Sequence, residues 1–101
     1  MIALTPDARR QVRALRDHYQ ELERIEAVRG LRRSLVAAWE KIVANPAAGL
    51  SAPRPYPQLA RPGRAWIKAG RYWIAYSTNV PVVIVGVFYE TADIPRRMSG
   101  R

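Results

Sequence analysis

The sequence predicts an α+β fold, with an N-terminal antiparallel helix hairpin packed on one face of a twisted antiparallel β-sheet of three to four strands. Three observations carry this expectation. Apolar residues recur at three- and four-residue steps through the first 44 positions, the spacing of amphipathic helices. A proline-rich stretch follows, holding five of the eight prolines. Then RAWIK, RYWIAYS and VVIVGVF read as three strands in succession, joined by short polar or glycine-bearing turns. With 101 residues there is one hydrophobic core to build and no room for a second domain. The expected layout is a single domain, 1–101, divided into a short strand and helix pair (1–45), a proline-rich connector (46–63), the sheet (64–89) and a basic tail (90–101).

The first helix should begin at Pro6. Thr5 is a good N-cap, proline is favoured in the first helical turn, and Asp7 complements the positive helix end. Ala8, Val12, Leu15, Tyr19 and Leu22 form its apolar stripe, and Ile2 and Leu4 before it are placed to add a short edge strand. The stripe loses phase between about Glu23 and Glu26. A second helix then runs to about Ala44 on Ala27, Leu31, Leu35, Ala38, Trp39 and Ile42, stopped by Asn45-Pro46. Gly30 inside it costs about 1 kcal/mol relative to alanine, which suggests a close helix crossing. The connector, with alternating Pro53, Pro55 and Pro57, favours extended polyproline structure pinned by Tyr56 and Leu59.

For the first hairpin, a turn at Ala69-Gly70 pairs Lys68 with Arg71, Trp66 with Trp73 and Arg64 with Ala75. One face then holds Ala65, Ile67, Tyr72, Ile74 and Tyr76, a core face. The other holds Arg64, Trp66, Lys68, Arg71 and Trp73, two tryptophans framed by cations. The third strand is apolar at nearly every position, so its second face needs a cover, expected from a partner chain.

The net charge is +9, distributed as +3 over residues 1–50 (nine cations, six anions) and +6 over residues 51–101 (eight cations, two anions). That field favours acidic partners. Without cysteine, disulfides and thiolate metal sites are excluded. His18 is the single histidine, there is no carboxylate cluster and no glycine-rich phosphate loop, so no metal or other cofactor is expected. No apolar run reaches the length of a membrane span and the N-terminus lacks a signal-peptide core, so a cytoplasmic protein with no membrane partner is expected. Metal-free phosphodiester cleavage needs cations to stabilise a pentavalent phosphate and a group to move protons; Arg64, Lys68, Arg71, Tyr89 and Glu90 are the candidates.

The order of these parts carries a resemblance. A short strand, TPDA opening a helical pair, a helix closing at ANP, a proline-rich connector, GRYWIAY, VVIVGVFY and a terminal ADIP resemble the ParE branch of the RelE/ParE superfamily of toxins from type II toxin–antitoxin systems. The resemblance spans nearly the whole chain and implies an α-hairpin on a twisted antiparallel sheet. It implies growth inhibition by poisoning DNA gyrase and neutralisation by a ParD-like antitoxin, with a hetero-oligomeric complex and no specific DNA binding by the toxin alone. RelE-type relatives instead cut mRNA on the ribosome. They tend to carry an arginine where this chain has Trp73, and another just after the last strand, where Phe88–Ala92 has none. Many ParE relatives read LHGARD where this chain has Tyr89 for the histidine and Ala92 for the arginine. The resemblance therefore favours a toxin acting by binding, with ribosome-dependent mRNA cleavage as one alternative and a non-catalytic basic nucleic-acid-binding module as another. The expected antitoxin surface is Trp66, Trp73, Arg71, Val83, Val85 and Val87. The expected target surface is Ile94, Arg96, Arg97 and Met98 in an extended tail, whose removal from Ile94 onward should leave the fold intact.

Overall fold

The structure, a computed structural model, describes residues 1–99. Thr5 is extended (φ −67°, ψ 163°), and its Oγ1 accepts a hydrogen bond from the Ala8 amide at 3.1 Å, starting helix α1, Pro6–Glu21. The Asp7 carboxylate pairs with Arg10 one turn on. The turn into helix α2, Ile25–Ala44, places Glu23 in the left-handed region (φ 57°), a conformation that costs a non-glycine residue about 1 kcal/mol or more. Backbone bonds from Glu23 to Gln20 (3.0 Å) and from Arg24 to Tyr19 (2.8 Å) hold it there. Ala8 and Tyr19 on α1 are buried, as are Leu31, Leu35, Ala38 and Ile42 on α2; Leu22, the last residue of the expected stripe, is exposed. Gly30 does not mark a helix crossing: a Cβ there would meet nothing nearer than the Arg33 guanidinium at 3.9 Å.

The connector is not a continuous polyproline segment. It makes two single-turn 3-10 helices, Pro46–Ala48 and Pro57–Leu59, and between them Leu50 pairs with Trp66 through two backbone hydrogen bonds (2.8 and 2.7 Å). Tyr56 and Leu59 pack against the body, as expected.

Strands β1 (Arg64–Ala69), β2 (Tyr72–Ser77) and β3 (Val83–Tyr89) form an antiparallel sheet in the order β1-β2-β3. The turn is Gly70-Arg71 rather than Ala69-Gly70, so Ala69 pairs with Tyr72, Lys68 with Trp73, Trp66 with Ala75 and Arg64 with Ser77. Gly70 takes φ +56°, and a Cβ would run into the Ser34 hydroxyl of α2, so both the turn and the helix above it require glycine. Leu4 makes a parallel bridge to Ile84: Thr5 N donates to Ile84 O (3.0 Å) and Ile84 N to Ala3 O (2.9 Å). The expected N-terminal strand is thus a single bridge beside β3.

Two apolar clusters lie on opposite faces of the sheet. The larger packs both helices onto Ala65, Ala69, Tyr72, Ile74, Tyr76, Ile84 and Val87. The second packs Trp66, Trp73, Ala75 and Phe88 around Ile94, with Tyr56, Leu59, Val85, Ala92 and Met98 at its margin. Ile94 belongs to a short helix, α3 (Ile94–Ser99). The expected extended tail is therefore helical and covers the second face with the chain's own residues. Asp93 starts it, its carbonyl accepting from Arg97 N (3.1 Å) and its Oδ1 from Arg96 N (3.4 Å). Gly100 and Arg101, the end of the expected tail, lie outside the described residues. Among the described residues, no helix is long and apolar enough to cross a membrane.

Candidate functional site

Tyr19 near the end of α1, the first half of α2, the Gly70-Arg71 turn and the end of β3 border a cavity of about 1200 Å³ that is broadly open to solvent. Tyr72 faces the helices because β2 alternates from Ile74, and there its hydroxyl meets that of Tyr19 at 2.7 Å. The Tyr89 ring stands edge-on to Tyr72 at 5.7 Å. Burial, and next the Tyr19 hydroxyl, push the Tyr72 phenol well above its ordinary range, so it stays protonated and able to donate. Arg24 at the start of α2, Arg33 within it and Arg71 in the hairpin turn line the same cavity.

The rim holds an ion cluster. Glu90 bridges two cations, accepting from Lys68 Nζ at 3.2 Å through Oε1 and from Arg71 at 2.9 Å through Oε2. The Lys68 ammonium holds the Glu90 carboxyl below the usual range, partly opposed by desolvation, with Arg71 adding to the lowering. The Arg71 guanidinium is raised first by the Tyr89 hydroxyl and then by Glu90. Lys68 Nζ also lies 5.5 Å from the Trp73 ring centroid, a cation–π approach. The backbone fixes this geometry too, since Glu90 N donates to Arg71 O at 2.8 Å.

Of the five candidates for phosphate chemistry, the fold brings Lys68, Arg71, Tyr89 and Glu90 to one corner. Arg64 is at the other end of β1, opposite Ser77. Desolvation, followed by the Arg61 charge, lowers its guanidinium pKa.

The six residues expected to face an antitoxin do not form one surface. Trp66 and Trp73 are 0% and 4% exposed, packed under α3 and the connector, and they do not pair with each other. An accessible tryptophan platform is therefore absent in this conformation. The turn register and the self-cover supplied by Ile94 are the reasons. Val87 is buried toward the helices, Val83 and Val85 are half-buried, and Arg71 is exposed. The Trp66 Nε1 is buried without a hydrogen-bond partner among the described residues.

The expected target-binding residues divide as well. Ile94 is fully buried and Met98 packs beside it, while Arg96 and Arg97 are exposed on α3. A second groove, about 1040 Å³, runs between α1, β3 and α3, lined by Arg10, Gln11, Val85, Phe88, Arg97 and Met98. There Val87 N donates to Gln11 Oε1 at 2.8 Å across the sheet edge.

His18 is exposed and opens onto both cavities. Among the described residues there is no group of three or more His, Cys, Asp or Glu side chains able to hold a metal ion. Sequence reasoning missed the Tyr19–Tyr72 pair and the cavity arginines Arg24 and Arg33. The one available signal was Gly30, a helix-interior glycine that lines the cavity. No family model and no curated protein matches the chain.

Proposed function

We propose that this protein is a ParE-like toxin of a type II toxin–antitoxin system that arrests growth by binding a gyrase-type topoisomerase. A ParD-like antitoxin with an acidic, partly amphipathic segment neutralises it in the bacterial cytoplasm. The observation that supports this reading best is the arrangement itself: a helical hairpin laid on one face of an antiparallel sheet whose centre is GRYWIAY and whose end is ADIP. Charge supports an acidic partner, because Arg9, Arg13, Arg24, Arg32 and Arg33 on or beside the helical layer take part in no ion pair among the described residues. The accessible surface for such a partner is the groove between α1, β3 and α3, with the arginine-bearing outer helix faces. Induced expression in a growing bacterium tests the reading. Growth arrest with a DNA-damage response and linearised plasmid is expected, relieved when a ParD-like antitoxin that binds the protein is co-expressed. Normal growth, or arrest without DNA breaks, overturns gyrase poisoning.

One observation favours a second reading, mRNA cleavage: Lys68, Arg71, Tyr89 and Glu90 share one corner. In that reading the two cations stabilise the pentavalent phosphate, Glu90 accepts the proton of the attacking hydroxyl and Tyr89 donates to the leaving oxygen. Glu90 is occupied by both cations and its carboxyl is lowered, which suits a structural clasp better than a base. Early translation arrest that disappears in Tyr89→Phe and Glu90→Gln distinguishes this reading from gyrase poisoning.

A further inference from the structure

We infer that the cavity between the helix hairpin and the Gly70-Arg71 turn is a binding site for a nucleoside phosphate. This goes beyond the toxin reading, and its test in vitro does not depend on growth arrest.

Gly30 is the first reason. It sits in the interior of a 20-residue helix, where glycine is less favourable than alanine. Protein packing does not require it there, since an added Cβ would find open space up to Arg33. Its backbone lines the cavity. A flat ligand lying close to the helix backbone accounts for a glycine that the fold does not need.

The second reason is an unused donor. Tyr19 and Tyr72 share a single hydrogen bond, so whichever hydroxyl accepts still has its own proton to give. Both side chains are buried at the cavity wall, and no second partner reaches either hydroxyl among the described residues. An acceptor oxygen arriving from the cavity completes the pair.

Charge sets the class of ligand. Among the described residues Arg24 and Arg33 make no ion pair, and Arg71 lines the same mouth with donors beyond the one Glu90 accepts. Guanidinium forks from two elements bordering the opening, Arg24 and Arg33 at the start of and within α2 and Arg71 on the hairpin turn, suit the several oxygens of a phosphate. Glu23 and Glu26 stand at the same opening and offer acceptors to sugar hydroxyls, while Tyr89 and His18 offer ring surfaces to a base. The opening, about 1200 Å³ and broadly exposed to solvent, is wide enough for a mononucleotide.

The test titrates the full chain with AMP, GMP and inorganic phosphate by calorimetry at low salt. One nucleotide is expected per chain, at least tenfold tighter than inorganic phosphate. Arg33→Gln and Gly30→Leu are each expected to weaken it tenfold or more. Arg9→Gln and Arg13→Gln, which remove the same charge from the exposed side of α1, should change it less than twofold. Gly30→Ala controls for the fold and is expected to raise the melting temperature by about 4 °C. A 5′-phosphorylated oligonucleotide separates sources: tighter binding than AMP, with the same loss in Arg33→Gln, assigns the site to a strand end. No binding of either nucleotide or the oligonucleotide at millimolar concentration overturns the inference. So does an equal loss in Arg9→Gln and Arg33→Gln, or a Gly30→Leu variant that binds as the parent does.

Discussion

Replacing Ile94 by alanine tests whether the C-terminal helix is the lid of the second apolar cluster. Ile94 is fully buried among Trp66, Trp73, Ala75 and Phe88. The change removes three carbon groups worth about 0.8 kcal/mol each in transfer alone. The space left behind adds to this, because the two indoles and Phe88 are held by the sheet and cannot collapse inward; large-to-small core changes of this kind cost about 2–5 kcal/mol. A loss near 3 kcal/mol is expected, a large share of the roughly 5–15 kcal/mol typical of a domain. It corresponds to a melting temperature lower by about 12–24 °C. Urea unfolding followed by tryptophan fluorescence measures it, with a red-shifted native spectrum as Trp66 and Trp73 meet water. Val36→Ala, at an exposed position on α2, should change stability by less than about 0.5 kcal/mol. A loss below about 1 kcal/mol for Ile94→Ala, with an unshifted spectrum, refutes the reasoning and leaves the tryptophan face free for a partner. Because Ile94 is buried, deleting Ile94 onward is expected to destabilise the domain, where the sequence alone suggests an intact fold.

Two further outcomes follow from the tyrosine pair and the ion cluster. Tyr72→Phe strands the Tyr19 hydroxyl and is expected to cost about 1–3 kcal/mol; because the Tyr72 pKa is raised in the fold, the stability it contributes is complete below about pH 10 and is lost as pH rises beyond, so the variant should show a weaker alkaline loss in melting experiments. For Glu90 the sign is reversed: its carboxyl is lowered in the fold, so its contribution is present above about pH 4.3 and disappears as pH falls through the lower folded value. The melting temperatures of the parent and Glu90→Gln should therefore differ at neutral pH and converge in acid; a constant gap contradicts the assignment of Glu90 to Lys68 and Arg71.

The helical half was legible because its signals are local. Thr5-Pro6-Asp7 states where α1 starts, Asn45-Pro46 states where α2 stops, and the stripe between them states which side faces the sheet. The two faces of the hairpin were legible as well, since alternation alone assigns Trp66 and Trp73 to one side and Tyr72 and Ile74 to the other. The register was not. Ala69-Gly70 and Gly70-Arg71 both offer a glycine to a two-residue turn, and the choice depends on Gly70 passing under Ser34 of α2, a contact 36 residues away in sequence. The C-terminal helix was hidden by Pro95, read as a sign of extended chain; Asp93 two residues earlier was the helix-start signal that would have corrected it. Of the site, the corner formed by Lys68, Arg71, Tyr89 and Glu90 could be anticipated from their places at strand ends. Tyr19 meeting Tyr72 depends on how far α1 slides along the sheet, which periodicity does not specify.

The bridges that flank the sheet bear on how the protein behaves when concentrated. Leu50 occupies the outer side of β1 opposite Trp66, while residues 3–5 and the Gln11 side chain occupy the outer side of β3 at Ile84 and Val87. A three-stranded sheet has two open borders on which another chain could template a fourth strand, and each is interrupted near its middle by a short stretch of the same molecule. A strand from a second copy would have to displace Leu50 or Gln11 before it could add. The sheet is thereby protected against polymerising edge to edge, although β3 is as apolar as the segments that form fibres.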